Sequence, residues 1–147
     1  MKFADLKPGM VFNHDPVRVE EDAMMEFSRA YDPQSFHIDR DHARESCWGG
    51  LIASGWYTCA LTMRMAVDCV LADSDSFGSP GIERLRWIEP VRAGDTIRLE
   101  ARIDTVRTSS KRSDLGIVRW TWRVFNQHDR EVMELEATTL FELAGQS

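Results

Sequence analysis

The segment from Tyr31 to Thr58, YDPQSFHIDRDHARESCWGGLIASGWYT, places many polar side chains between two apolar stretches. Asp32 and His37 lie five residues apart in it. A carboxylate and an imidazole can together hold one water molecule and exchange protons near neutral pH, so the pair is a candidate for general acid–base catalysis. A simpler interpretation stays open, because an aspartate after a helix often forms a turn and a loop histidine usually makes an ordinary hydrogen bond.

Helices are predicted on the N-terminal side of this pair and directly after it. From Glu20 to Tyr31 the apolar residues recur on one helical face, and acidic residues occupy the first turn. Pro33 ends this helix at Asp32, because the residue before a proline is pushed out of the helical region. Asp39 is predicted to cap a short helix that runs to about Glu45.

A longer helix is predicted to begin at Ser54, with the sequence SGWYTCALTMRMAVDCVLAD. It is apolar around most of its circumference, apart from Arg64 and Asp68, which lie four residues apart and can pair. We expect other structure to wrap such a helix.

The second half of the chain changes to an apolar period of two, which is typical of half-buried antiparallel strands. Three segments alternate in this way: DTIRLEARIDTV, IVRWTWRVF and VMELEATTLF. Residues 10–19 have partial strand character, and Gly94-Asp95 and residues 126–129 supply turns. A sheet with one apolar face that curls around one apolar helix satisfies both patterns. The sequence therefore predicts an α+β hot-dog arrangement: a curved antiparallel sheet around a long central helix.

Length and composition limit the other possibilities. The chain has 147 residues, 43% hydrophobic and 29% charged, with a formal charge of −6. We expect one domain over residues 1–147, with a frayed tail after Leu143, and no nucleic-acid partner, because phosphate binding needs clustered positive charge. The N-terminus lacks the features of a secretory signal and no apolar run is long enough for a bilayer span, so we expect a cytoplasmic protein. Three cysteines without a CxxC pair favour neither a disulfide nor a zinc site.

The stretch AYDPQSFHIDRDHARESCWGGLIASG resembles the hydratase motif of the MaoC-like dehydratases and (R)-specific enoyl-CoA hydratases. That motif is approximately G-D-x-N-P-x-H-x-D, followed by an alanine and then by G-x-I-x-H-G-M at the start of the central helix. Asp32 and His37 match its catalytic aspartate and histidine, Asp39 matches the next aspartate, and Gly55 matches the glycine at the helix start. A weaker second signature, PVRAGDTI from Pro90 to Ile97, also resembles the family.

The resemblance implies hydration or dehydration of a trans-2-enoyl thioester, with Asp32 and His37 acting on a water molecule. Gly55 would then offer a backbone N–H to the thioester carbonyl, since a helix N-terminus has free donors and glycine permits close approach. The chain departs from the family at Gln34-Ser35, which replaces Asn-Pro, and at Ser54 and Trp56, which flank Gly55. We expect Gln34, Ser54 and Trp56 to contact substrate, although Ser54 has a second possible role as the helix cap.

The resemblance further implies an acyl-CoA-type substrate in fatty acid metabolism, no metal or redox cofactor, and a homodimer or higher homo-oligomer. Two alternatives stay open. A hot-dog acyl-CoA thioesterase would use a carboxylate on the central helix, where Asp68 is the interior candidate, and a non-catalytic protein would only bind acyl thioesters. The basic segment from Arg107 to Asp114 could meet coenzyme A phosphates or form an ordinary exposed hairpin end. The five tryptophans are predicted to be core or acyl-pocket wall: Trp48, Trp56, Trp87, Trp120 and Trp122.

Overall fold

The computed structural model describes residues 1–143. It contains five antiparallel strands in the order β1-β3-β4-β5-β2 and four α-helices. The strands are β1 (Val11–Arg18), β2 (Ser76–Trp87), β3 (Thr96–Thr108), β4 (Leu115–Phe125) and β5 (Glu131–Glu142). The helices are α1 (Glu21–Tyr31), α2 (Ser35–Ile38), α3 (Arg40–Glu45) and α4 (Gly55–Ala66), and a π-helical turn (Val67–Leu71) continues α4. The prediction of an α+β fold with an antiparallel sheet and a central helix is confirmed. The predicted fraying concerns residues 144–147, which lie outside the described residues.

The core lies between the apolar face of the sheet and α4. All three predicted alternating segments are strands, and the residues of each that face the core are buried: Ile97, Leu99, Ala101 and Ile103 on β3; Val118, Trp120, Trp122 and Val124 on β4; Met133, Leu135, Ala137, the polar Thr139, and Phe141 on β5. Met65 and Ala66 of α4 belong to the same buried cluster. Burial of this continuous apolar surface is the main force that holds α4 against the sheet.

The central helix is wrapped on one side only. Its buried residues are Thr58, Thr62, Met65 and Ala66, whereas Trp56, Met63 and Val67 on another face are exposed. Arg64 and Asp68 pair as predicted, with Arg64 Nε 3.0 Å from both carboxylate oxygens. Within the single chain, the sheet therefore covers one side of the helix and leaves the other side exposed. Among the described residues, no helix is long and apolar enough to cross a membrane.

Strand β2 was not predicted from the sequence. Gly78, Pro80 and Gly81 interrupt it, and its pairing with β5 contains three register shifts. Such residues obscure the alternation that identifies a strand, and they are tolerated here because β2 is an edge strand. Nearly all of β2 is exposed to solvent in the single chain.

The segment between α1 and α4 is held by backbone contacts to the residues before β3. Ala53 N–H donates to Val91 O over 2.7 Å, and the Arg92 guanidinium donates to the carbonyl oxygens of Trp48 and Leu51. Asp39 caps α3 as predicted, because its Oδ1 accepts from the N–H groups of Asp41 and His42, each over 3.0 Å. The second half of the connection is thus tied to the residues before β3, and its middle is ordered by the Asp39 cap.

We expect Asp39→Ala to lower the free energy of unfolding by about 1 kcal/mol, the usual loss when an N-cap is removed. Urea denaturation followed by circular dichroism measures this change. Asp41→Ala is the matched control, because the Asp41 side chain is 90% exposed and makes only a 3.4 Å contact with Arg44. An equal loss in both variants would contradict the capping role.

Candidate functional site

Asp32 and His37 are in direct contact in the structure. Asp32 is the residue at which α1 ends, and its N–H donates to Ser28 O over 2.8 Å. The chain then turns through the single-turn helix α2, where His37 N–H donates to Gln34 O over 2.9 Å. This turn brings His37 Nε2 to 3.2 Å from Asp32 Oδ2. The predicted pair therefore converges, and α2, which was not predicted as a helix, is the element that makes it converge.

The imidazole of His37 is fixed from the protein interior. The residue is only 4% exposed, and its Nδ1 lies 2.8 Å from Ile52 O. A carbonyl oxygen can only accept a hydrogen bond, so Nδ1 carries a proton and donates it. Nε2 is then the ring nitrogen that is left to exchange a proton with Asp32 or with a bound molecule. The Phe36 ring packs edge-on against the imidazole at a centroid distance of 4.4 Å.

The carboxylate of Asp32 accepts two further hydrogen bonds. Ser54 Oγ donates to Oδ2 over 2.7 Å, and Gln34 Nε2 donates to Oδ1 over 2.8 Å. Burial pushes the pKa of Asp32 upward, but the hydrogen bonds from Ser54 and Gln34, together with the neighbouring His37, outweigh it and lower this pKa below its usual value of 3.8. Asp32 is therefore ionised at neutral pH.

Ser54 connects this carboxylate to the central helix. Its fully buried hydroxyl accepts from Trp56 N–H over 3.2 Å, which makes Ser54 the N-cap of α4. The capping prediction is confirmed. The simultaneous bond to Asp32 was not predicted, because the two residues are 22 positions apart and only tertiary contact joins them.

Gly55 begins α4 beside the Asp32–His37 pair. As the first residue of a helix, it has an N–H without an acceptor inside the helix, and no hydrogen bond within residues 1–143 uses this group. Gly55 and His37 both line a cavity of about 200 Å³. The other walls of this cavity are mainly apolar: Trp48, Ile52, Ala53, Thr58, Trp87, Ile88, Glu89, Pro90, Val91 and Val132.

The three residues expected to contact substrate lie at different places. Gln34 and Ser54 both bind the Asp32 carboxylate. Trp56 is exposed and packs edge-on against Trp87, with ring centroids 5.1 Å apart. None of the three is among the residues that form the walls of the described cavity.

The five tryptophans divide into three groups, because Trp56 is exposed and belongs neither to the core nor to the cavity wall. Trp120 and Trp122 are buried in the core, as predicted. Trp48 and Trp87 are partly exposed at the cavity, where their place as wall residues also agrees with the prediction. The role of Trp87 beside Gly55 was missed because β2 itself was not predicted, and no sequence pattern pointed to it.

Asp68, the candidate carboxylate of the thioesterase alternative, lies away from this cavity. It belongs to the π-helical turn after α4, where it is paired with Arg64 and lies 3.8 Å from His14 Nε2. Among residues 1–143, no three His, Cys, Asp or Glu side chains come together closely enough to hold a metal ion. The basic segment forms the exposed end of the β3–β4 hairpin, where Arg112 pairs with Asp114 over 2.9 Å.

The strand order, the central helix and the placement of the polar pair at the start of that helix define a hot-dog domain. Comparison with protein families is more specific. The model of the MaoC like domain matches residues 3–119, most of the described structure. The chain belongs to this family.

Individual relatives and solved structures are similar to nearly the whole chain. The protein YdeM of Bacillus subtilis (strain 168) is 28% identical over 142 residues, which cover 97% of this chain and 99% of YdeM. A crystal structure of the MaoC-like dehydratase from Rhodospirillum rubrum is 35% identical, has a TM-score of 0.88, and aligns over 95% of this chain and 94% of that one. An R-hydratase from Pseudomonas aeruginosa in the unliganded form has the same fold, with 23% identity, a TM-score of 0.75, and coverage of 95% of this chain and 84% of that one.

We expect Ser54→Ala to raise the pKa of Asp32, because the variant loses a hydrogen bond to the carboxylate and keeps the burial that opposes ionisation. In the wild type the lowered pKa of Asp32 stabilises the fold at pH values above the pKa of this carboxyl in the unfolded chain, which is near 3.8. This stabilisation is lost as the pH falls through the pKa of Asp32 in the folded protein. The variant should therefore lose less stability than the wild type on acidification.

Titration of the Asp32 carboxyl carbon by NMR measures the change in the pKa of Asp32. Urea denaturation across the acid range measures how much stability each protein loses on acidification. Ser46→Ala is the control, since the Ser46 hydroxyl donates to Ala43 O and does not contact Asp32. An unchanged Asp32 pKa in Ser54→Ala would refute the assigned interaction.

Proposed function

We propose that the protein catalyses the hydration of a trans-2-enoyl thioester, or the reverse dehydration of a 3-hydroxyacyl thioester, with coenzyme A as the thiol. The observation that carries this proposal is the 3.2 Å contact of His37 Nε2 with Asp32 Oδ2 beside a cavity that His37 and Gly55 both line. Membership of the MaoC-like family supports the reaction class.

In the proposed reaction, one water molecule donates its two hydrogens to His37 Nε2 and to the Asp32 carboxylate. Because Nδ1 of His37 donates to Ile52 O, the neutral ring presents its unprotonated Nε2, beside Asp32 Oδ2, to the water. As the water oxygen forms its bond to C3, the hydrogen that the water donates to His37 passes to Nε2 as a proton. The ionised Asp32 stabilises the resulting imidazolium. The imidazolium then delivers the proton to C2. The net change is addition of one water across the double bond, and both side chains return to their initial states.

Negative charge develops on the thioester oxygen while the water attacks. We assign its stabilisation to the N–H of Gly55, which is free within the described residues and lies at the positive end of the α4 dipole. No metal or redox cofactor is needed in this proposal, because the thioester carbonyl itself activates the double bond.

We expect Asp32→Asn and His37→Ala each to reduce kcat/KM by about a hundredfold to ten-thousandfold, the range typical for loss of a proton-transfer group. The assay follows the loss of enoyl thioester absorbance with crotonyl-CoA and with longer trans-2-enoyl-CoA substrates. Asp41→Asn and His42→Ala are matched controls, since both residues are exposed in the same segment and neither contacts the Asp32–His37 pair.

Wild-type activity in both site variants would refute the assigned roles. Release of free thiol from saturated acyl-CoA would instead support the thioesterase alternative. Binding of acyl-CoA without turnover over the whole substrate panel would support the non-catalytic alternative.

We also propose that the protein forms a homodimer through the uncovered side of α4 and strand β2. Trp56 and Met63 on α4, Val67 at the start of the π-helical turn, and Phe77 and Ile82 on β2 are exposed apolar residues. Between these elements lies a mainly apolar groove of about 480 Å³, to which Met63 and Ile82 contribute. A second copy of the chain would cover this apolar surface and the exposed strand edge together.

Ile82→Glu should convert the wild-type dimer into a monomer, because a charge would replace an apolar side chain that the second copy buries. Light scattering coupled to size-exclusion chromatography gives the mass directly. Val11→Glu is the control on the opposite edge of the sheet, where Val11 is 45% exposed and Ile82 is 52% exposed. A monomeric wild type would overturn this part of the proposal.

A further inference from the structure

Trp87, at the end of β2, lies directly against Gly55. A Cβ atom added at Gly55 would fall 2.6 Å from both Cδ2 and Nε1 of the Trp87 indole, and closer still to Cε2. Cβ atoms essentially never come within 3.0 Å of non-bonded heavy atoms of other residues. The indole therefore occupies the space that any side chain at position 55 would need.

Backbone conformation does not explain the glycine at this position. Gly55 is the first residue of a regular α-helix, and it is not one of the glycines with positive φ, which are Gly9, Gly49, Gly78, Gly81 and Gly94. An alanine at position 55 would keep both the N–H and a permitted backbone geometry. The packing of Trp87 is the constraint that requires glycine here.

A hydrogen bond adds to this packing. Trp87 Nε1 donates to Gly55 O over 3.0 Å, and the Trp56 ring stacks edge-on against the same indole. The start of α4 is thus held from the solvent side by Trp87 and from the interior side by the Ser54–Asp32 hydrogen bond. The first contact is made by Gly55, whose N–H faces the substrate in the proposed reaction, and the second by Ser54, the residue before it.

The same indole is also a wall of the cavity beside His37. Trp87 is 46% exposed, so it lies at the boundary between this cavity and solvent and not inside the core. The cavity measures only about 200 Å³, and Trp48 is its other indole wall. The bulk of Trp87 therefore limits the space that an occupant can use next to Gly55.

We infer that Trp87 is a positioning and specificity-determining residue: it fixes Gly55 at the start of α4 and limits the size of the acyl group that the cavity accepts. The first half of this inference stands on packing alone. The second half rests on the proposed hydratase function. Trp87 takes no part in proton transfer, so its substitution leaves the chemistry of Asp32 and His37 in place.

A double-mutant cycle tests the first half without any enzyme assay. Gly55→Ala should increase the unfolding equilibrium constant about tenfold to a hundredfold in the wild-type background, because it overpacks the site against the indole. In the Trp87→Ala background the same substitution should change this constant by less than about threefold, since the clash is gone. An equal loss in both backgrounds would overturn the positioning role.

Substrate selectivity tests the second half. With Trp87→Ala, the ratio of kcat/KM for a branched or longer trans-2-enoyl-CoA to that for crotonyl-CoA should rise about tenfold, because the cavity wall is removed. Trp87→Phe retains a ring but lacks the indole N–H, so it should keep the wild-type selectivity while kcat falls and KM changes little. That separation of kcat from KM distinguishes positioning of Gly55 from a general loss of structure.

Phe125→Ala serves as the aromatic control. The Phe125 ring packs under Arg98 and Arg123 at the end of β4 and is not part of the cavity wall, so its removal should leave the selectivity ratio unchanged. An unchanged ratio in Trp87→Ala would overturn the specificity role. If the wild type has no activity on any enoyl thioester, the proposed function fails, while the double-mutant cycle still decides the link between Gly55 and Trp87.

Discussion

The hydrogen bond from Ser54 to Asp32 is the interaction on which the site depends. One buried hydroxyl accepts from the backbone at the start of α4 and donates to the carboxylate at the end of α1. This hydroxyl therefore fixes the position of the helix start, and with it the position of the Gly55 N–H, relative to Asp32 and His37. Separating a buried donor from its acceptor is costly when few other hydrogen-bond partners are within reach. The positions of the helix start and of the Asp32 carboxylate are therefore held rigidly relative to each other.

The rest of the molecule supports that interaction from outside the segment. Ile52 O orients the His37 ring, and the residues before β3 hold the backbone that carries Ile52, through Val91 O and the Arg92 guanidinium. Strand β2 contributes Trp87 against Gly55. The site thus depends on contacts between distant parts of the chain, although its polar residues all come from one short segment.

Periodicity was sufficient to predict most of the fold. The period of two in β3, β4 and β5 and the helical periods of α1 and α4 reflect which side chains the core must bury, so they are visible in the sequence. Strand β2 was missed because an edge strand tolerates glycine and proline and needs no buried alternation. The exposed face of α4 was also missed, because an apolar residue has the same hydropathy whether this chain or another molecule covers it.

The sequence by itself determined the identities and spacing of Asp32, His37 and Gly55, the cap at Ser54, and the elements that carry them. These features are local, and a resemblance in residue type and spacing is enough to reveal them. Only the tertiary structure decided that Ser54 and Gln34 both bind the Asp32 carboxylate, that Ile52 sets the proton position on His37, and that Trp87 fills the space beside Gly55. Those contacts depend on distances between side chains that folding brings together, and no periodicity in the chain encodes them.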